Sequence, residues 1–115
     1  MPRADIFELH ADVCQTLANP KRLRVLALLA KGDMSVGELA GVLGVPLSNV
    51  SQRLALLKSQ GLVASRKAGQ TVHYSLADRR IIQACTLIRA VLLDRLKARG
   101  LAAQKTDPRY VVAAL

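Results

Sequence analysis

The residues best suited to chemistry in this chain are Ser48, Asn49, Ser51, Gln52, Arg53 and Lys58, gathered in "VPLSNVSQRLALLKS" at 45–59. They are short or donor-rich polar side chains, and none is a carboxylate. Asn and Gln hydrogen-bond adenine edges bidentately, Ser is a tolerant reader of either base, and Arg takes guanine or a phosphate. The suppression of negative charge runs well past this stretch. From Leu39 to Ala77 there is no Asp or Glu, while Arg53, Lys58, Arg66 and Lys67 all fall inside the span. The whole chain has 17 Lys and Arg against 8 Asp and Glu, a formal net charge of +9, so the acids are few and placed elsewhere. An acid-free segment that also holds base-reading side chains predicts a polyanion partner, double-stranded DNA above all. An ordinary solvated helix face is the competing explanation. It must treat both the charge window and the turn ahead of it as coincidence.

A second kind of chemistry belongs to thiols. Cys14 and Cys85 lie far apart in sequence and form no CxxC pair, so free thiols are expected rather than a structural disulfide. Two thiols brought together can be oxidised, bridged by reactive sulfur or bound to As(III). Each also suits the ordinary role of a small buried hydrophobe, and the sequence leaves both roles open. His10 stands one helical turn before Cys14, where it would complete a Cys2His ligand set or simply sit at the surface. His73 falls in a strand-like run, where packing or a phosphate contact is expected. No acid or oxyanion nest converges on either histidine, so a hydrolytic enzyme is not expected, nor any cofactor.

These side chains need elements to hold them. With 115 residues the chain makes one domain, and 51% apolar but only 3% aromatic content implies a core of Leu, Val, Ile and Ala between packed helices. Ile6, Leu9, Val13, Cys14 and Leu17 share one face of a first helix at about 4–18. Asn19 and Pro20 suit the cap and first turn of a second, at about 20–31, with Leu23, Leu26, Leu29 and Ala30 inward and Lys21, Arg22 and Arg24 outward. Ser35 with Glu38 three residues on is a capping box for a short third helix ending at Gly44. The fourth begins near Pro46 or Leu47 and buries Val50, Leu54 and Leu57, which turns Ser48, Gln52, Ala55 and Ser59 outward with Asn49 and Ser51 on the flanks.

Gly61 suits the C-terminal cap of that helix, and "LVASRK" and "TVHYSL" follow as a hairpin around Ala68, Gly69 and Gln70, with Arg66 and Lys67 near its tip. A long last helix at about 78–99, capped from Asp78, carries Ile81, Cys85, Ile88 and Leu92 at 4-3-4 spacing, a seam able to meet another helix. The expected fold is therefore a winged helix-turn-helix, mainly α with a small β-hairpin, in the order α-α-α-α-β-β-α over 1–99. A frayed tail is expected at 100–115. Charge interrupts every apolar run well before ~18 residues, so no membrane span is expected. The N-terminus carries acids and no small-residue cleavage site, so no signal peptide is expected and a cytoplasmic protein follows.

Four stretches in order carry a resemblance: L-A-N-P-x-R at 17–22, S-x-x-E-L-A at 35–40, V-S-Q-x-L at 50–54, and G-L-V-x-x-R-x-x-G-x-x-V-x-Y-x-L at 61–76. Over about 10–96 the chain resembles the ArsR/SmtB family of bacterial winged-helix repressors. That resemblance implies a homodimer on an inverted-repeat operator, joined through its first and last helices, and released from DNA by an effector. Arg53 departs from the family's usual His in V-S-x-H-L, and Pro46 stands where a capping Ser is common. The family's known effector sites are not matched. Ser35 and Gly37 replace the cysteines of one metal site; Asp78, Arg80, Val91 and Asp94 lack the imidazoles of the zinc site. Ala27 and Leu93 stand where the dithiol sensors have cysteine. No metal site is expected, and Cys14 and Cys85 remain as the sensor candidates, both on helices that the family packs at the subunit interface. The alternative is a winged-helix module for protein interaction or small-molecule binding that does not engage DNA independently. Binding to genomic fragments in the presence of competitor separates the two.

Overall fold

The computed structural model describes residues 4–100. Its elements run α1 (Ile6–Leu17), α2 (Pro20–Leu29), β1 (Met34–Ser35), α3 (Val36–Leu43), α4 (Leu47–Ser59), β2 (Val63–Ala68), β3 (Thr71–Leu76) and α5 (Arg79–Ala98). The expected elements are all present and in order. Most of the tail expected at 100–115 lies outside the described residues, and Gly100 follows the end of α5 with φ +69.

Local chemistry sets most of the boundaries. Asn19 Oδ1 accepts the N–H groups of Lys21 and Arg22 at 3.0 and 3.2 Å, so two orphan donors at the start of α2 are satisfied beside Pro20. The capping box of α3 is complete: Glu38 N–H donates to Ser35 Oγ and Ser35 N–H to Glu38 Oε1, both at 3.1 Å. Gly44 ends that helix in the left-handed region at φ 66, a conformation an L side chain would resist. At the start of α4 no side chain caps the helix, because the position is held by Pro46.

Val25, Leu26, Leu39, Val50, Leu54 and Leu57 are the largest fully buried side chains, and they join α2, α3 and α4 in one core with Leu62 and Val63 from the wing and Ile82 and Cys85 from α5. Removing a side chain of this kind, such as Leu54→Ala, costs about 2–5 kcal/mol, a large share of the stability of a small domain. In α2, Leu26 and Leu29 are buried and Leu23 and Ala30 pack against the core, as expected, and Val25, Ala27 and Leu28 are buried with them. One expectation for this helix needs correction. Arg22, expected outward, is half-buried, and its Nε donates to the Thr16 carbonyl at 2.6 Å, satisfying an acceptor left open near the end of α1.

The hairpin is really part of a three-stranded antiparallel sheet in the order β1-β3-β2. Met34 and Ser35 pair with Tyr74 and His73, adding a short strand beyond the hairpin alone. The β2–β3 register runs from Val63–Leu76 to Ala68–Thr71, leaving Gly69 and Gln70 as a two-residue turn. Gly69 has φ 63 while no non-glycine residue among the described residues has positive φ, as a type II′ turn at Gly69 and Gln70 requires. No helix among the described residues is long and apolar enough to cross a membrane.

Candidate nucleic-acid interface

The α4 register follows from its buried stripe of Val50, Leu54 and Leu57. Ser48, Ser51, Gln52, Ala55, Lys58 and Ser59 are exposed, while Asn49 and Arg53 are half-buried on one flank. Arg53 Nε donates to Asn49 Oδ1 at 2.8 Å, an i,i+4 pair that ties the first turn of the helix to the second. No carboxylate among the described residues hydrogen-bonds to Ser48, Asn49, Ser51, Gln52 or Arg53. The uncapped start of α4 leaves its first backbone N–H groups and the positive end of the helix dipole open on the same side.

Lys58 and the wing are joined. Lys58 Nζ donates to Ser65 Oγ at 2.8 Å, which braces β2 against α4. Arg66, Lys67 and Gln70 are exposed near the tip of the hairpin. Successive strand residues point to opposite faces, however, so Arg66 and Lys67 cannot face one surface together. Lys67 shares the face of Ser65 and Val63, the side braced to α4. Arg66 shares the other face with its cross-strand neighbour His73, which lies in turn opposite Ser35.

On that second face, acids return from outside the acid-free window. Arg66 Nε lies 3.6 Å from Asp33 Oδ2, both side chains remaining largely exposed. Glu38 is held below its ordinary pKa by the backbone and side-chain hydrogen bonds from Ser35, with the nearby His73 charge acting in the same direction. The half-buried His73 is thus paired across the sheet with both Ser35 and Arg66. Asp33 and Ser65 are the contributors that sequence reasoning missed. Both lie within hydrogen-bonding or ion-pair reach of a basic residue only because the sheet brings them there.

The two thiols are not equivalent. Cys85 is 5% exposed and belongs to the core, whereas Cys14 is exposed on α1. Burial pushes the Cys85 thiol up, with the Arg89 charge opposing that rise and Cys14 adding to it. His10 is exposed near Cys14. No group of three or more His, Cys, Asp or Glu side chains suited to a metal ion occurs among the described residues.

This geometry matches known proteins closely. A model of a helix-turn-helix domain matches residues 17–66. An uncharacterized HTH-type transcriptional regulator of Mycobacterium tuberculosis, Rv0081, is 39% identical over 100 residues, covering 86% of this chain and 88% of its own. Its crystal structure superposes with a TM-score of 0.76 at 38% identity, over 85% of this chain and 99% of that one. A transcriptional repressor SmtB homolog of Synechocystis is 42% identical over 78 residues, which is 68% of this chain and 59% of the relative. The solution structure of a homodimeric winged helix-turn-helix DNA-binding domain from Mycobacterium bovis, described as a possible ArsR-family regulator, gives a TM-score of 0.75 at 29% identity, over 91% of this chain and 97% of that one.

The chain belongs to the ArsR/SmtB family. Its members are transcriptional regulators rather than enzymes, and α3, the turn at Gly44 to Pro46, and α4 are the helix-turn-helix of this one. Within this ArsR/SmtB regulator, β2 and β3 form the wing, with β1 as its third strand.

Proposed function

We propose that this regulator is a homodimeric, sequence-specific repressor that binds an inverted-repeat operator in cytoplasmic DNA. In this reading α4 enters the major groove with Ser48, Asn49, Ser51, Gln52 and Arg53 toward base edges, Lys58 close to the backbone, and Lys67 and Gln70 on the wing reaching phosphates or the adjacent minor groove. Arg66 takes a phosphate only by leaving Asp33. The observation that carries the reading is the outward face of α4: short polar side chains, exposed and free of carboxylates, at the uncapped end of a braced helix.

The homodimer is supported by unpartnered apolar surface on the two terminal helices. Phe7 on α1 is 78% exposed, and Leu87, Ile88, Val91 and Leu92 line the second half of α5 in the open. A two-fold pairing of these faces would cover them and set the spacing of the two copies of α4. Effector release is assigned to thiol chemistry at the exposed Cys14, with Cys85 buried in the core as the second candidate. Cys14 lies on the same face of α1 as Phe7, so a bulky or charged adduct there would disturb the pairing.

An electrophoretic shift on genomic fragments, at physiological salt with competitor DNA, tests the DNA reading. A discrete shifted band that competitor does not remove is expected, and its absence would leave a winged-helix interaction module as the better reading. For release, intact mass and operator affinity are compared before and after persulfide, peroxide or arsenite. Wild-type responses from both Cys14→Ser and Cys85→Ser would remove the thiols from the mechanism.

A further inference from the structure

The bond from Arg53 Nε to Asn49 Oδ1 changes what Asn49 can read. An adenine edge in the major groove offers one acceptor, N7, and one donor, N6–H, so a bidentate Asn must present both a donor and a free acceptor. Here the Asn49 oxygen already holds a guanidinium N–H at 2.8 Å. Any N6–H group brought to that oxygen would approach a fixed positive charge. The hydrogen-bonding groups left to the pair are mostly donors: the two N–H bonds of Asn49 Nδ2 and the terminal N–H groups of Arg53, against one remaining lone pair on Oδ1. Both side chains are half-buried, and each restricts the rotamers of the other, so the arrangement exists before any partner arrives.

We propose that Asn49 and Arg53 form one donor-rich element that reads the N7/O6 edge of a guanine, leaving Gln52 as the better adenine-reading side chain of α4. This rests on the DNA-binding reading above. A phosphate oxygen offers the same acceptor chemistry. The guanine edge is favoured because Asn49 lies in the first turn of α4, where a groove-lying helix meets bases, and because the pair is pinned to the helix instead of extending from it.

The test uses the full chain and a duplex that the wild type enriches from a random pool. If the wild type enriches no duplex, the DNA-binding reading itself fails. With a duplex in hand, each guanine is replaced in turn by 7-deazaguanine, which lacks N7 but pairs normally. Wild type is expected to lose a part of the roughly 5- to 150-fold of a whole bidentate contact at one guanine per half-site, because O6 remains. Arg53→Ala loses the guanidinium and Asn49→Ala loses the brace; both should be less sensitive than wild type to that replacement. Wild type indifferent to every 7-deazaguanine, or variants that stay as sensitive as wild type, would overturn the inference while DNA binding stands. So would an Arg53→Ala variant that weakens all duplexes equally and lowers the salt slope by about 0.9, which marks a phosphate contact. Wild-type sensitivity to the modified duplex is read on unaltered protein, so it does not depend on any variant folding.

Discussion

At the scale of single residues, partnership distinguishes the basic side chains of this regulator more than exposure does. Lys67 is exposed on the face braced to α4, whereas Arg66 is exposed on the opposite face with Asp33 beside it. An exposed ion pair of this sort contributes little to stability, so its main effect is electrostatic at the wing. Lys67→Ala should therefore lower the slope of log K against log salt by about 0.9, the value for one phosphate contact, and Arg66→Ala by less. Asp33→Asn should strengthen binding to all duplexes alike, with a slope steeper by up to about 0.9, as salt titrations of binding would show. Equal effects of the two alanine variants, with no effect of Asp33→Asn, would mean that both basic residues reach DNA in the same way.

At the scale of elements, the site is held by helix ends and by one brace. The capping box starts α3, the Lys58–Ser65 bond joins α4 to the wing, and Asp78 caps α5 by accepting the Arg80 N–H at 2.9 Å. Side-chain and backbone hydrogen bonds from Arg80 hold the Asp78 carboxyl down to about 2, from an ordinary 3.8. A carboxyl depressed on folding stabilises the protein fully above its unfolded pKa, and that stabilisation is lost as pH falls through the folded value. Asp78→Asn keeps a capping oxygen but loses the charge. It should be less stable than wild type at neutral pH, with the gap closing as pH falls from about 3.8 to about 2, followed by thermal unfolding across that range. A gap that persists unchanged in acid would place the defect in the cap itself.

At the scale of the whole molecule, the last helix is divided between two duties. The seam of Ile81, Cys85, Ile88 and Leu92, read as able to meet another helix, is split: Cys85 is buried in the monomer core with Ile81 packed against it, while Ile88 and Leu92 remain 61% and 48% exposed. The second half of α5 is thus open to a second copy without any change in the monomer fold. Ile88→Glu with Leu92→Glu should yield a folded monomer, seen as unchanged helicity with a halved mass in sedimentation. Operator affinity should fall by roughly 10²–10⁴, the gain a second linked half-site supplies. A double variant that stays dimeric would move the interface off α5.

What the amino-acid sequence determined by itself was whatever depends on neighbours a few positions apart. The Asn19, Ser35–Glu38 and Asp78 caps, the Gly69 turn, the buried stripe of α4 and the four-stretch family pattern are all of this kind. The Asn49–Arg53 bond belongs with them in principle, since an i,i+4 spacing brings two side chains together on any helix. Only the tertiary structure decided the rest. A two-residue strand such as β1 has no periodicity to read, and it exists because β3 lies alongside to pair with it. The same pairing carries Asp33 to Arg66 and Ser35 to His73, cancelling part of a charge window that looked uninterrupted along the chain. Which cysteine is buried, and where the α5 seam passes from core to open surface, likewise depend on how far the other helices reach along it. Sequence spacing fixes the direction of a side chain around its own axis, but burial and charge depend on what other segments place in front of it.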